Sequence, residues 1–185
     1  SKPIQFLVPL FQALEENKNI ETEVWYNNNF GVEPFFDSEF NKSIKWDFDI
    51  LNGYRHVLLK NFSWNPSTTW LGQINPGIIK LLTSADRPDI LILWGWDSLT
   101  HLMAVALAPI FGVKLYLRAE TTLEYESSLP LAKRIIKKII LRLFFNMFDG
   151  FLYLGTQNRA FYEYIGICAE KLYFMPYCTN RFSKE

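Results

Sequence analysis

Three short polar segments, each directly after an apolar run, hold the residues of this chain that are best suited to bind a ligand. They are residues 95–98 (Gly-Trp-Asp-Ser), 118–122 (Arg-Ala-Glu-Thr-Thr) and 155–158 (Gly-Thr-Gln-Asn). Carboxylate, amide and hydroxyl groups hydrogen-bond to hydroxyl-rich ligands, an arginine attracts anionic ones, and a tryptophan ring stacks under a sugar. The candidate ligand contacts are therefore Trp96, Asp97, Arg118, Glu120, Thr121, Gly155, Thr156 and Asn158.

These candidates also have structural interpretations, which the sequence leaves open. Asp97 suits the N-cap of the next helix, Arg118 and Glu120 can pair to fix their own loop, and Trp96 can belong to the core. His101 falls in the first turns of the helix that follows. The sequence shows no Gly-rich phosphate loop, no Ser-His-Asp arrangement and no metal-ligand spacing, so we assign no catalytic group and no metal ligand.

The elements that position these segments alternate between strand and helix, which is typical of an α/β fold. Strands are expected at 89–94, 113–117, 151–154 and 172–175, and helices at 4–17, 76–84, 98–112, 130–148 and 158–165. This order predicts a Rossmann-like open parallel sheet with helices on both faces, its first strand, 89–94, buried on both sides. The polar segments would then lie at the carboxyl edge of the sheet, where such folds bind ligands. Residues 27–45 show no period and are expected to form a long loop.

The helix expected at 130–148 separates apolar from basic residues. Its basic side chains are Lys133, Arg134, Lys137, Lys138 and Arg142. One interpretation is a helix that packs its apolar face on the sheet and leaves its basic face in water. The other is a helix that lies on a membrane surface and is attracted by anionic lipid. Leu141 and Phe145 fall within the basic arc and favour the second interpretation slightly.

Composition indicates a folded, aromatic-rich domain. Hydrophobic residues make up 49% of the 185 residues, aromatic residues 17% and charged residues 21%. The formal net charge is zero, so no general affinity for nucleic acid is expected. Residues 1–100 carry 8 basic and 12 acidic side chains, whereas residues 101–185 carry 11 and 7. The two cysteines, too few for a disulfide framework, are expected to be reduced thiols in a cytoplasmic protein.

Five segments, taken in order, resemble the N-terminal domain of family 4 glycosyltransferases of the GT-B type. Residues 3–14 are similar to a Pro-Ile-Gln-Tyr run that leads into Pro-Leu-Phe-x-Ala-Leu. Similar motifs occur at 46–54 (Trp-Asp-x-x-Leu-Leu-x-Gly-Tyr), 117–122 (Leu-Arg-Gly-Glu/Asp-Ser), 155–158 (Gly-Thr-x-Asn) and 176–182 (Pro-Tyr-x-Val-Asp/Asn-x-x-x-Phe). The chain departs from the family pattern in opening with a helix instead of a strand, in Ala119, and in a slightly shorter segment before Phe182.

The resemblance implies one half of a two-domain enzyme that transfers a sugar with retention and without a metal. Residues 1–176 would form the Rossmann-like acceptor-binding domain, and 177–185 would begin the linker to a donor-binding domain that supplies the main catalytic groups. The donor would be a nucleotide-diphosphate-sugar, with no resident cofactor, and the acceptor a glycan or a lipid-linked sugar. We expect a cytoplasmic enzyme with peripheral contact to the inner face of the membrane. A stand-alone small-ligand binding module and a membrane-surface adaptor are the alternatives.

Overall fold

The computed structural model describes residues 3–29, 35–37, 42–44, 49–67 and 69–177 of the chain. It divides into two compact units, residues 1–77 with 177–185, and residues 78–176. All three candidate ligand segments lie in the second unit. The predicted domain over 1–176 includes parts of both units, and its boundary stays a prediction, as does the linker at 177–185.

The first unit opens with a 3-10 turn, Gln5–Leu7, and helix α1, Val8–Glu16. Strands β1 (Val24–Tyr26) and β4 (His56–Leu58) pair in parallel. The buried amide of Asn75 donates to the carbonyls of Asn27 and Leu59, which follow these strands, and so holds their carboxyl ends together. Of the segments compared with the glycosyltransferase family, residues 46–48 and 178–182 lie outside the described part of the chain.

The long loop expected at 27–45 is a wrong prediction in part. Strands β2 (Phe35–Asp37) and β3 (Lys42–Ile44) form an antiparallel pair inside it. Strands of three residues are too short for an alternating pattern to stand out in the sequence, which is why the pair was not predictable from periodicity.

The second unit contains a four-stranded parallel sheet and confirms the predicted α/β class with an open, Rossmann-like parallel sheet. Its strands are β5 (Ile90–Trp94), β6 (Lys114–Arg118), β7 (Gly150–Tyr153) and β8 (Leu172–Phe174), in the order β5-β6-β7-β8. Its helices are α2 (Gly77–Thr83), α3 (Leu99–Leu107), α4 (Leu123–Ser127), α5 (Leu131–Phe145) and α6 (Thr156–Ile165). Only the short α4 was not expected from the sequence.

Aromatic rings form the core of this unit. Phe145 on α5 lies 5.2 Å from the ring of Phe151 on β7 and 6.0 Å from that of Tyr162 on α6. Phe148 and Phe161 complete the buried cluster, which packs α5 and α6 against one face of the sheet. Burial of so many large rings is the main stabilising contribution here.

Strand β5 differs from the expectation that it is buried on both faces. Leu93 is buried, but Ile90 and Ile92 are exposed. Because successive side chains of a strand point to opposite faces, Ile90 and Ile92 share one face while Leu93 belongs to the other. Strand β5 is therefore buried on one face only.

Candidate functional site

The three candidate segments lie side by side at the carboxyl edge of the sheet. β6 pairs with both β5 and β7, so the turns that follow these strands are neighbours. The Gly95 N–H donates to the Arg118 carbonyl at 2.9 Å, which joins the first turn to the second strand. The Asn158 amide then links the second turn to the third. We call residues 95–98, 119–122 and 155–158 the strand-end site.

In the first turn, Gly95 has a φ of 90°, a left-handed conformation that favours glycine. Ser98, and not Asp97, caps helix α3, because its Oγ accepts from the His101 N–H at 3.2 Å. The Asp97 carboxylate therefore stays available for another role. Its Oδ1 lies 3.2 Å from Nδ1 of His101, whose side chain is only 6% exposed, while that of Asp97 is 73% exposed.

The Asp97–His101 pair holds Asp97 as a carboxylate. The hydrogen bond from His101 is the main cause that lowers the pKa of Asp97 below its usual range. Burial lowers the pKa of His101 below its ordinary value of 6.5, although the bond to Asp97 opposes this shift. The close approach of the buried His101 ring orients the Asp97 carboxylate, which stays exposed to solvent.

Trp96 is anchored in the aromatic core. Its half-buried ring meets Phe145 edge-to-face with centroids 5.4 Å apart. This contact agrees with the structural interpretation of Trp96, and stacking of a sugar on the remaining exposed part stays a prediction.

In the second turn, the buried and exposed charges have different surroundings. Arg118 is only 2% exposed, and its guanidinium lies 5.5 Å from the ring centroid of Trp94 on the neighbouring strand. Glu120 is exposed to solvent, and Thr121 is half-buried. Glu120 is therefore the charged side chain of this turn that a ligand in solution can reach.

The third turn is held by Asn158, which is 4% exposed. Its Nδ2 donates to the carbonyls of Ala119 (2.9 Å) and Thr121 (2.7 Å), and its Oδ1 accepts from the Leu154 N–H (3.0 Å). Both N–H groups are thus used, so Asn158 positions the backbone of the second turn. Its direct contact with a ligand stays a prediction.

Gly155 and Thr156 begin helix α6 at the same edge. Gly155 is the N-cap of α6, and a Cβ built on it would meet no atom within 4 Å. Thr156 is exposed in the first turn. The space above this turn is accordingly open, and the predicted contacts of Gly155 and Thr156 with a ligand are untested.

The sequence interpretation does not predict that His101 pairs with Asp97. The available signal is their i,i+4 spacing, which places two side chains on the same side of a helical turn.

In the described parts of the chain, no three His, Cys, Asp or Glu side chains form a group able to hold a metal ion. No helix there combines the length and the hydropathy needed to cross a membrane.

The basic side chains of α5 have different surroundings. Lys133 and Arg142 are exposed, whereas Arg134 is half-buried. Lys137 pairs with the buried Glu126 of α4, and Lys138 lies over a tyrosine ring of α6.

Comparison of the chain with family models, curated proteins and solved structures gives no match.

Proposed function

We propose that this chain is the acceptor-binding part of a retaining, metal-independent glycosyltransferase. The enzyme transfers a sugar from a nucleotide-diphosphate-sugar to a glycan or a lipid-linked acceptor. The five resembling segments support this assignment, and so does the gathering of two of them at one edge of a parallel sheet. A second domain of the same enzyme binds the donor, as the resemblance implies.

The observation that carries the proposal is the pair of exposed carboxylates on neighbouring turns, Asp97 and Glu120. Carboxylates on these turns accept hydrogen bonds from the hydroxyls of a sugar. The same carboxylates would repel the phosphates of a nucleotide, because both groups are negatively charged. His101 fixes one of these turns and Asn158 fixes the other. The arrangement therefore orients an acceptor hydroxyl, and its contribution to rate is one of positioning.

The groups that stabilise the departing nucleotide belong to the donor domain in this proposal. No residue of the strand-end site is assigned a catalytic role. We place the enzyme in the cytoplasm at the inner face of the membrane, and the exposed free thiol of Cys168 supports a reducing compartment.

The experiment is a binding measurement on the 185-residue chain with a panel of soluble oligosaccharides, read by saturation-transfer NMR. We expect binding by the wild type and loss of at least tenfold in affinity for Asp97→Asn and for Glu120→Gln, because hydrogen bonds to charged groups contribute about 1.5–3 kcal/mol. Glu170→Gln is the matched control, since Glu170 is also exposed but precedes β8 at the other end of the sheet. Equal loss in all three variants would remove the strand-end site from the proposal.

A calorimetric titration with nucleoside diphosphates and nucleotide-sugars separates the proposal from its main alternative. We expect no micromolar binding, because the donor site lies in another domain. Micromolar binding of a nucleotide would instead assign this chain a nucleotide site and support the stand-alone binding module.

A further inference from the structure

Helix α5 presents its apolar side to solvent. The exposed residues are Leu131, Ile135, Ile136, Ile139, Ile140 and Leu143, followed by Met147 in the next turn, each 42% to 67% exposed. We call these seven residues the isoleucine face. Leu141 and Phe145, on the opposite side of the helix, are the residues that α5 buries in the core. The interpretation in which the apolar face packs on the sheet is therefore wrong.

The isoleucine face is large for a protein surface. Its side chains leave on the order of 600 Å² of apolar area in water, at the upper end of the ~300–600 Å² found for the largest patch of a typical monomer. A shallow groove of about 320 Å³ runs beside it, lined by Leu129, Lys133, Ile136, Lys137, Ile140 and Leu141. A patch of this size indicates a surface that is covered in the working state of the protein.

The charges around the face identify what covers it. At about 100° per residue, Lys133 and Lys137 border the face on one side, and Lys138 and Arg142 border it on the other. Helix α5 contains five Lys or Arg and no Asp or Glu. Lys133, Lys138 and Arg142 have no acidic partner among the described residues. Two copies of such a helix would repel each other, whereas an anionic surface would attract it.

The geometry of the helix fits a flat partner. Fifteen residues give a helix of roughly 22 Å, too short to cross a bilayer and long enough to lie in its interface. Long basic side chains at both borders can place their stems beside the acyl chains and their charges at the lipid phosphates. Tyr125 of α4 is also exposed, and its ring lies 5.5 Å from the Lys137 ammonium at one border. Tyrosine is enriched at membrane–water interfaces.

We propose that the isoleucine face docks on the surface of an anionic lipid bilayer, with α5 parallel to the membrane plane. The isoleucine face shares no residue with the strand-end site, so the docking stands or fails independently of the proposed sugar transfer. The contact of Lys137 with the buried Glu126 joins α5 to α4 and keeps the isoleucine face turned outward.

The test is co-sedimentation of the 185-residue chain with large vesicles of phosphatidylcholine alone or of an equimolar mixture with phosphatidylglycerol. We expect binding to the anionic vesicles and little binding to the neutral ones. Ile136→Asp/Ile140→Asp should weaken binding by at least about tenfold, because burial of one such side chain contributes about 1.5–3 kcal/mol. Ile110→Asp is the matched control, since Ile110 is 73% exposed and lies outside α5.

A second pair of variants tests the charges. Lys133→Glu/Arg142→Glu should weaken binding to the anionic vesicles by roughly tenfold or more, since each basic residue near such a surface contributes about fivefold. Lys18→Glu/Lys80→Glu, an equal charge change at exposed positions outside α5, should leave binding within about twofold of the wild type when only the α5 charges contact lipid. Far-ultraviolet circular dichroism of every variant checks that the fold is kept.

Three results would overturn the proposal. The first is no preference of the wild type for anionic vesicles. The second is equal binding by the wild type and the Ile136→Asp/Ile140→Asp variant. The third is a dimer in analytical ultracentrifugation that this variant abolishes, without vesicle binding, which would assign the isoleucine face to a second copy of the chain.

Discussion

Replacement of Asn158 by aspartate is the substitution that most sharply tests how the strand-end site is held. The two side chains have nearly the same shape, but aspartate offers two acceptors where asparagine offers two N–H donors and one acceptor. The contact with the Leu154 N–H survives the change. The two hydrogen bonds to the carbonyls of Ala119 and Thr121 are lost. In their place, a carboxylate oxygen of the aspartate faces two carbonyl oxygens and is repelled by them.

The expected loss follows from these three contacts. Each lost hydrogen bond removes about 1 kcal/mol, and each carbonyl left unsatisfied in a buried site costs about 1–3 kcal/mol. Because Asn158 is 4% exposed, water cannot readily replace the amide. We expect Asn158→Asp to lower the free energy of unfolding by about 3–5 kcal/mol. Asn158→Ala, which loses the bonds without adding charge, should lower it by about 3 kcal/mol.

The assay is equilibrium unfolding in urea, followed by tryptophan fluorescence and by circular dichroism so that a two-state transition can be checked. Gln157→Glu is the matched control, because it makes the same amide-to-carboxylate change at the neighbouring, exposed position. A negative charge in the first turn of α6 should be neutral or stabilise slightly. If the free energy of unfolding of Asn158→Asp lies within about 0.5 kcal/mol of the wild-type value, position 158 behaves like an exposed surface position, and the positioning role of Asn158 is refuted.

Three further predictions concern the same unit. Since burial lowers the pKa of His101, the unfolded state binds more protons and stability should fall as pH drops below about 6.5; His101→Phe should flatten this fall in urea titrations at several pH values. Lys137→Met leaves the carboxylate of Glu126, 1% exposed, without its cation and should destabilise the fold by about 2–4 kcal/mol in urea unfolding. Gly150→Ala places a Cβ 2.5 Å from the ring of Tyr116 and should lower the free energy of unfolding by about 1–3 kcal/mol. A second substitution, Tyr116→Ala, should reduce this loss because it removes the ring that the Cβ meets.

Each of these predictions has a control within the chain. His56→Phe makes the same substitution at the other histidine and is the control for the pH series. Lys133→Met removes an exposed lysine of the same helix and should change stability by less than about 0.5 kcal/mol. Gly155→Ala adds a methyl group in open space and should cost only a few tenths of a kcal/mol. Equal effects in a variant and its control would refute the corresponding contact.

The sheet of the second unit was predictable because its signals are local. Apolar runs such as 90–94 and 150–153, each followed by a polar turn, indicate parallel strands, and the observed bounds differ from the expected ones by a residue or so. The two strands of the pair inside 27–45 are three residues long each, and so they lack the repeat on which such predictions depend.

The roles of individual site residues were less predictable, because they depend on partners distant in sequence. Asn158 bonds to Ala119 and Thr121, 37 to 39 residues away, and no spacing rule indicates such a contact. The orientation of α5 also depends on partners distant in sequence. The amphipathic pattern shows that the helix has two faces but does not show which of them packs on the core. The contacts of Phe145 with Phe151 and Tyr162 determine the buried face.

An amide-resolved NMR titration of the 185-residue chain with acceptor-type oligosaccharides and, separately, with nucleotide-sugars distinguishes acceptor binding from donor binding. We expect an oligosaccharide to shift the amides of residues 95–98, 119–122 and 155–158, and nucleotide-sugars to leave them unchanged. Shifts of these amides by the nucleotide part of a donor, or oligosaccharide shifts confined to other residues, would contradict the acceptor-binding function.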